Sequence, residues 1–234
     1  MLERWEQFYY YLPRDVIVDD QSLTELGARI LEISPYIRPA RRVEQVQVPG
    51  RSGSLTFWDG AYDDVKYTIK LTCFADQVDF IDALQNGHRV TFSTQPEYEF
   101  SYRVDEEVPL ERLLAWYHTA TITLLCNPFR RERKPKIFDS PGKIENRGNV
   151  PCSPTIKIQG AGDFTIKLGA ESITLQGVKK EALLDGEHLR CVVDGVEADH
   201  KMIGDFFTLD AGLSADISVS PTCSYQVAPN WRWI

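Results

Sequence analysis

The sequence predicts a mainly β protein in two parts, an α+β first half and an all-β second half. Three observations carry this. First, Val65 to Cys73 alternates strictly: Val65, Tyr67, Ile69, Leu71 and Cys73 fall on one side and Lys66, Thr68, Lys70 and Thr72 on the other. That is the period of a strand with one dry and one wet face. Second, the single helix predicted lies between Asp76, a candidate N-cap, and Gly87, a candidate C′ residue, with Val78, Ile81 and Leu84 at helical spacing and Phe80 beside them. Third, short apolar runs recur between turn signals from Thr155 to Val227 with no helical period, the pattern of a β-sandwich.

The other elements follow in order. Phe8 to Val18 reads as two short strands around Pro13, and Leu23 to Ile33 as either a strand or a short helical turn. Val43 to Val48 is a strand with Val46 and Val48 on one face, and Pro49-Gly50-Arg51-Ser52-Gly53 is a loop whose glycines allow sharp turning. Beyond the helix, Val90 to Phe92 is a strand. Tyr98, Phe100, Tyr102 and Val104 alternate as another, and Ala120, Ile122, Leu124 and Cys126 as a further one. From Arg130 the chain turns charged and aperiodic, through Arg130-Arg131-Glu132-Arg133-Lys134-Pro135-Lys136 to the turn signals Pro141-Gly142, Gly148-Asn149 and Pro151 to Pro154. This stretch is the expected boundary, giving domains 1–136 and 137–234. In the second, strands are predicted at 155–158, 164–168, 173–175, 189–193, 196–198, 217–220 and 225–227. Gly160 to Asp163 reads as a turn, and Asp194-Gly195 as a two-residue hairpin turn.

Composition narrows the function. The chain has 234 residues, 43% hydrophobic and 11% aromatic, which is enough for two cores. Net charge is −8, and both halves are acidic: 17 basic against 21 acidic residues up to 136, and 9 against 13 beyond. Neither half is a basic nucleic-acid reader. Five cysteines, at 73, 126, 152, 191 and 223, form no CxxC pair, and no histidine stands at metal-ligand spacing from any of them. Cys73, Cys126 and Cys191 fall on apolar strand faces as small buried hydrophobes. Their odd number points to folding in a reducing compartment. The N-terminus has no apolar signal segment, and the longest greasy stretch, Leu113 to Cys126, is too short to span a bilayer. The expectation is a protein made in the cytoplasm that uses no membrane.

Catalytic signatures are not found. His88, His118, His188 and His200 stand apart, and there is no Gly-x-Ser-x-Gly, no Walker loop and no dinucleotide fingerprint. Asp19-Asp20, Asp63-Asp64 and Asp105-Glu106-Glu107 could hold a divalent ion or act as a glycosidase pair, but they fall in predicted turns and read as solvated loop charge. No catalytic residue, metal or cofactor is expected. Tyr9-Tyr10-Tyr11 reads as an edge strand feeding an interface. Tyr225, Trp231 and Trp233 could grip a sugar ring, or the two tryptophans could pin down the C-terminus. Arg38, Arg41, Arg42 and Arg51 gather around the Pro-Gly loop, and arginine is enriched where subunits meet.

These stretches, in this order, resemble the distal tail proteins of long-tailed, non-contractile phages. Val46 to Leu55 resembles the family's valine-proline-glycine-arginine-x-glycine-x-leucine signature, with Ser52 where Asp is usual. Val65 to Phe74 resembles its next strand, Asp76 to Leu84 its helix, and Thr91 to Tyr98 its strand, turn and aromatic strand. Cys126-Asn127-Pro128-Phe129 resembles the end of its first domain. Gly148-Asn149 with Pro154 to Gly160, then Gly204 to Leu209 with Gly212, and Trp231-Arg232-Trp233 resemble its second. The resemblance implies an N-terminal split barrel or β-sandwich with one helix and a C-terminal galectin-like β-sandwich. It implies a structural, non-enzymatic part of a phage or prophage: a homo-hexameric hub ring at the virion tail tip. The ring would join the tail tube to the tail-associated protein and to receptor-binding or baseplate proteins, with the tape-measure protein as a further neighbour. Arg41, Arg42, Pro49, Gly50, Arg51, Ser52 and Gly53 are the expected interface residues. The rival expectation is a carbohydrate-binding module that attaches to cell-wall glycan through Tyr225, Trp231 and Trp233.

Overall fold

The computed structural model describes residues 14–74, 78–104, 107–114 and 116–234. The Tyr9–Tyr11 run, the strand expected before Pro13, the Asp76 N-cap and the Asp105-Glu106 pair lie outside these residues. Two compact units are present, one ending at Arg133 and one over Lys134–Trp233.

The first unit is built on one antiparallel sheet. Its strands are β1 (Val16–Val18), β2 (Gln21–Ser22), β3 (Arg29–Ile33), β6 (Val65–Phe74), β7 (Arg89–Phe92), β8 (Tyr98–Arg103), β9 (Leu110–Leu114) and β10 (Tyr117–Glu132). They run in the order β2-β1-β7-β8-β10-β6-β3, with β9 also on β10. A separate two-stranded ribbon is formed by β4 (Arg41–Gln47) and β5 (Ser54–Tyr62). The helix α1 covers Asp79–Asn86.

The alternation of β6 is realised as read: Val65, Tyr67, Ile69, Leu71 and Cys73 are buried. Thr72 departs from it, because the Tyr117 hydroxyl donates to Thr72 Oγ1 at 2.7 Å and lets that side chain be buried too. Tyr67, Phe92 and Phe100 cluster with ring centroids 5.0 to 5.8 Å apart. The helix closes this core with Phe80 and Leu84, while Val78 is exposed and stands at the N-cap.

β10 is far longer than its apolar run. It pairs with β6 as far as Cys126 and continues beside β8 through Arg130, Arg131 and Glu132. The register shifts between Cys126 and Arg130, and this bulge contains Asn127-Pro128-Phe129. Proline has no N–H to give to a ladder, so a bulge is where it fits. The Asn127 side chain accepts the Phe129 N–H at 3.1 Å. The charged run read as a boundary is thus partly strand, and its charges have partners. The Arg130 guanidinium lies 4.6 Å from the Tyr36 ring and 4.4 Å from that of Tyr98 and donates to Gln95 at 2.6 Å. Arg133 reaches Asp20 at 2.9 Å.

The second unit is an antiparallel sandwich. Its strands are β11 (Gly142–Glu145), β12 (Thr155–Gln159), β13 (Gly162–Leu168), β14 (Glu171–Val178), β15 (Glu181–Asp185), β16 (Arg190–Val193), β17 (Val196–Glu197), β18 (Met202–Ile203), β19 (Ser214–Ser220) and β20 (Ser224–Ala228). One sheet runs β11-β19-β13-β14-β18 and the other β17-β16-β15-β12-β20. Ile156, Ile158, Phe164, Ile166, Ile173, Leu184, Cys191 and Val227 share the core between them. The turn at Asp194-Gly195 has φ +53° and +81°, as a two-residue I′ hairpin needs.

The Asp194 carboxylate also organises the neighbouring turn. Burial alone would raise its pKa, but hydrogen bonds from the N–H groups of Lys180, Glu181 and Lys179 outweigh burial and hold it low. A depressed folded-state pKa stabilises above the unfolded value, near 3.9, and is lost as pH falls through the folded value. Urea midpoints are therefore expected to fall more steeply below about pH 4 in the native protein than in Asp194→Asn. Equal slopes would contradict this.

Candidate assembly surface

The β4–β5 ribbon is an arm. β4 and β5 pair as strands only with each other among the described residues, and every residue of β4 is exposed. Ser54 sits opposite Gln47, Leu55 opposite Val46, Phe57 opposite Glu44 and Trp58 opposite Val43. Glu44, Val46, Leu55 and Phe57 therefore share one face, with Phe57 57% exposed. The other face carries Val43 and Trp58 near the base and Gln45, Thr56, Gln47 and Ser54 toward the tip. A two-stranded ribbon with apolar groups on both faces is marginal alone in water, and its two free edges are templates for another chain. Its chemistry is that of a surface meant to be covered.

The base of the arm is fixed to its own unit. Tyr62 meets Trp58 and Phe129 edge-on, at 5.7 and 5.9 Å. The Arg41 guanidinium lies 4.3 Å from the Trp58 ring centroid, and Arg42 pairs with Asp63 at 3.2 Å. Gly50 and Gly53 at the tip both have φ +80°, and the Arg51 N–H donates to Val48 O at 3.1 Å. Of the residues singled out from sequence, Pro49, Gly50, Arg51, Ser52 and Gly53 come together at the exposed tip. Arg41 and Arg42 do not join them, because the length of β4 separates base from tip.

A second exposed feature was not singled out from sequence. Phe74 stacks on Trp116 with centroids 5.9 Å apart and 21° between planes, and Tyr117 meets both rings within 5.9 Å. Trp116 is 58% exposed, and Leu114 beside it is also exposed. The signal for it was present: Phe74 continues β6 on the side occupied by Lys66, Thr68 and Lys70, where an aromatic ring is out of place.

The candidate sugar-binding aromatics are placed differently. Tyr225 and Trp231 are 4% and 3% exposed and belong to the core of the second unit. Trp231 is flanked by Phe138 edge-on at 6.3 Å and by Arg147 at 5.1 Å. Trp233 is half-buried against the same core. Rings packed in this way offer no open face for a sugar to stack on.

The carboxylates are also accounted for. Asp19 accepts from the N–H groups of His88 and Arg89 and pairs with the Arg89 side chain, and Asp64 pairs with Arg103 at 3.4 Å. Among the described residues no three His, Cys, Asp or Glu side chains gather as metal ligands, and no helix is long and apolar enough to cross a membrane. All five thiols are free. Burial pushes Cys126 up to about 12 and Cys152 to about 11, far from a reactive thiolate.

No family model matches this chain, and no curated protein matches it. A solved structure does: the crystal structure of SPP1 Dit (gp 19.1), described as a paradigm of hub adsorption apparatus in phages infecting Gram-positive bacteria. The likeness has a TM-score of 0.70 at 15% identity and covers 94% of this chain and 99% of that one. The protein has the fold of that hub protein.

Proposed function

We propose that this chain is a distal tail protein, a structural component of the tail tip of a phage or prophage. The observation that carries the reading is a fold likeness to a phage hub protein that extends over nearly the whole of both chains. The exposed arm of the first unit supports it independently, since a ring is closed by heterologous contacts between unlike surfaces of identical subunits. In this reading the first domain builds a hexameric ring and the second is a dock for receptor-binding or baseplate proteins. The tail tube lies on one side and the tail-associated protein on the other. Net-negative subunits would let DNA pass such a ring without adhering. A carbohydrate-binding role for the second domain has no comparable support, because two of its three candidate aromatics are core residues.

The test is assembly of the full chain with its own tail-tube protein. Light scattering is expected to give a mass of six subunits, and negative-stain images closed six-fold rings. A monomer under all conditions, with no ring on the tube end, would overturn the reading.

A further inference from the structure

We propose that the arm of one copy docks, through the face bearing Val46, Leu55 and Phe57, on the Phe74–Trp116–Tyr117 cluster of the next copy. The inference rests on the hub reading and names the contact that joins its subunits.

The two surfaces are matched in kind and opposed in place. Both belong to the first unit, both are mainly apolar, with Glu44 the charged residue opposite Phe57 on the arm's face, and both stay exposed within a single chain, so the arm does not cover the cluster of its own molecule. The arm leaves the sheet just before Val65, where β6 begins, and the cluster lies at Phe74, where β6 ends. Ten extended residues put them about 30 Å apart along one strand. A knob at one end and an unlike acceptor at the other make a head-to-tail contact, the kind that propagates around a ring, whereas a self-complementary two-fold contact would stop at a dimer. Charge is mixed on both surfaces: the arm has Glu44 on its docking face and Arg51 at its tip, while exposed Arg29, Asp79, Glu107 and Glu111 lie on the segments around the cluster, so the rings rather than net charge carry the contact. Interface energy concentrates in buried aromatic anchors, and Phe57 and Trp116 are the exposed rings placed to act as them.

The experiment uses two full-length variants, Phe57→Asp and Trp116→Asp. Both sites are more than half exposed, so far-UV circular dichroism and melting temperature are expected to match the native chain; Leu114→Lys is the second acceptor variant if Trp116→Asp is not folded. Each variant alone is expected to weaken self-association by about 30-fold or more, the change that corresponds to losing one interface anchor. An equimolar mixture is then expected to form heterodimers and nothing larger. The intact arm of the Trp116 variant meets the intact cluster of the Phe57 variant, and that pair has no second contact to extend. Wild-type-like assembly of the acceptor variants overturns the proposal but leaves the ring reading standing, and assigns the cluster to another partner. Two monomeric variants that do not pair in the mixture also overturn it, in favour of like-to-like contacts. A native chain that stays monomeric even beside the tail-tube protein removes the hub reading itself.

Discussion

Replacing Asn146 by alanine is expected to lower the stability of the second unit by about 3–5 kcal/mol, the largest single-residue effect anticipated there. Asn146 is 1% exposed. Its amide donates to the carbonyls of Val150 and Leu209, at 2.9 and 2.8 Å, and its side-chain oxygen accepts the Gly148 N–H at 2.8 Å. Its backbone is engaged as well, with its N–H on Leu213 O and its carbonyl accepting from Gly212. One side chain therefore ties the stretch after β11 to the segments around Leu209. Alanine would leave the Val150 carbonyl and the Gly148 N–H buried without partners, at about 1–3 kcal/mol each where water cannot enter, and would strip one of its two donors from Leu209 O, which keeps the Cys152 N–H at 3.0 Å. For a unit of this size that is a fall in melting temperature of roughly 15 °C or more. Calorimetry of Asn146→Ala would measure it, and a fall of a degree or two would mean that water replaces the amide at little cost. Asn146→Asp sharpens the test. It keeps the acceptor for Gly148 but turns both donors into an oxygen facing two carbonyls, so it is expected to be at least as damaging as alanine at neutral pH.

How much of this was legible in the sequence depended on whether a residue's surroundings were local. β6 was readable because its ten residues have one buried and one open face, and the Asp194-Gly195 turn because its backbone demands those residues. β5 was not readable: both faces of Ser54–Tyr62 are open, so burial imposes no alternation on it. β15, Glu-Ala-Leu-Leu-Asp, carries little strand propensity and is held by its neighbours β12 and β16. Arg130 to Glu132 reads as linker from sequence because a charged run ordinarily faces solvent. The rings of Tyr36 and Tyr98 that make Arg130 a strand residue come from distant parts of the chain. The candidate surface divided in the same way. The tip from Pro49 to Gly53 was evident from its glycines, whereas the separation of Arg41 and Arg42 from it follows from β5, which was not foreseen. Tyr225 and Trp231 show the limit of composition: an aromatic near a terminus carries no mark of which side of the sheet it will occupy.

Gly87 shows the same limit at a single residue and yields the second large expected effect. At the end of a helix, a glycine suggests a left-handed cap, where alanine costs about 1–2 kcal/mol in backbone strain. Its actual conformation, φ −75° and ψ 158°, is one any residue adopts. Glycine is needed there for space. A Cβ would stand 2.3 Å from Val18 Cγ1, 2.5 Å from the Tyr102 hydroxyl oxygen and 2.7 Å from the Ala83 carbonyl oxygen. None of these yields readily. Val18 is core, Ala83 O is helix backbone, and the Tyr102 hydroxyl is itself held by donating to Leu84 O at 2.8 Å. Gly87→Ala is therefore expected to cost about 3 kcal/mol by overpacking. By contrast, Gly50→Ala at the arm tip, with φ +80° and no atom within 4 Å of its Cβ, is expected to cost only the local strain. The mechanism fixes a third measurement. In a Val18→Ala background, which removes the nearest obstructing methyl, Gly87→Ala should cost clearly less than in the native chain, a coupling that contacting residues show and distant ones do not. Denaturant midpoints for the four proteins of this cycle decide it. If Gly87→Ala costs no more than Gly50→Ala, or if the cycle shows no coupling, helix, β1 and β8 do not meet at this glycine as tightly as described.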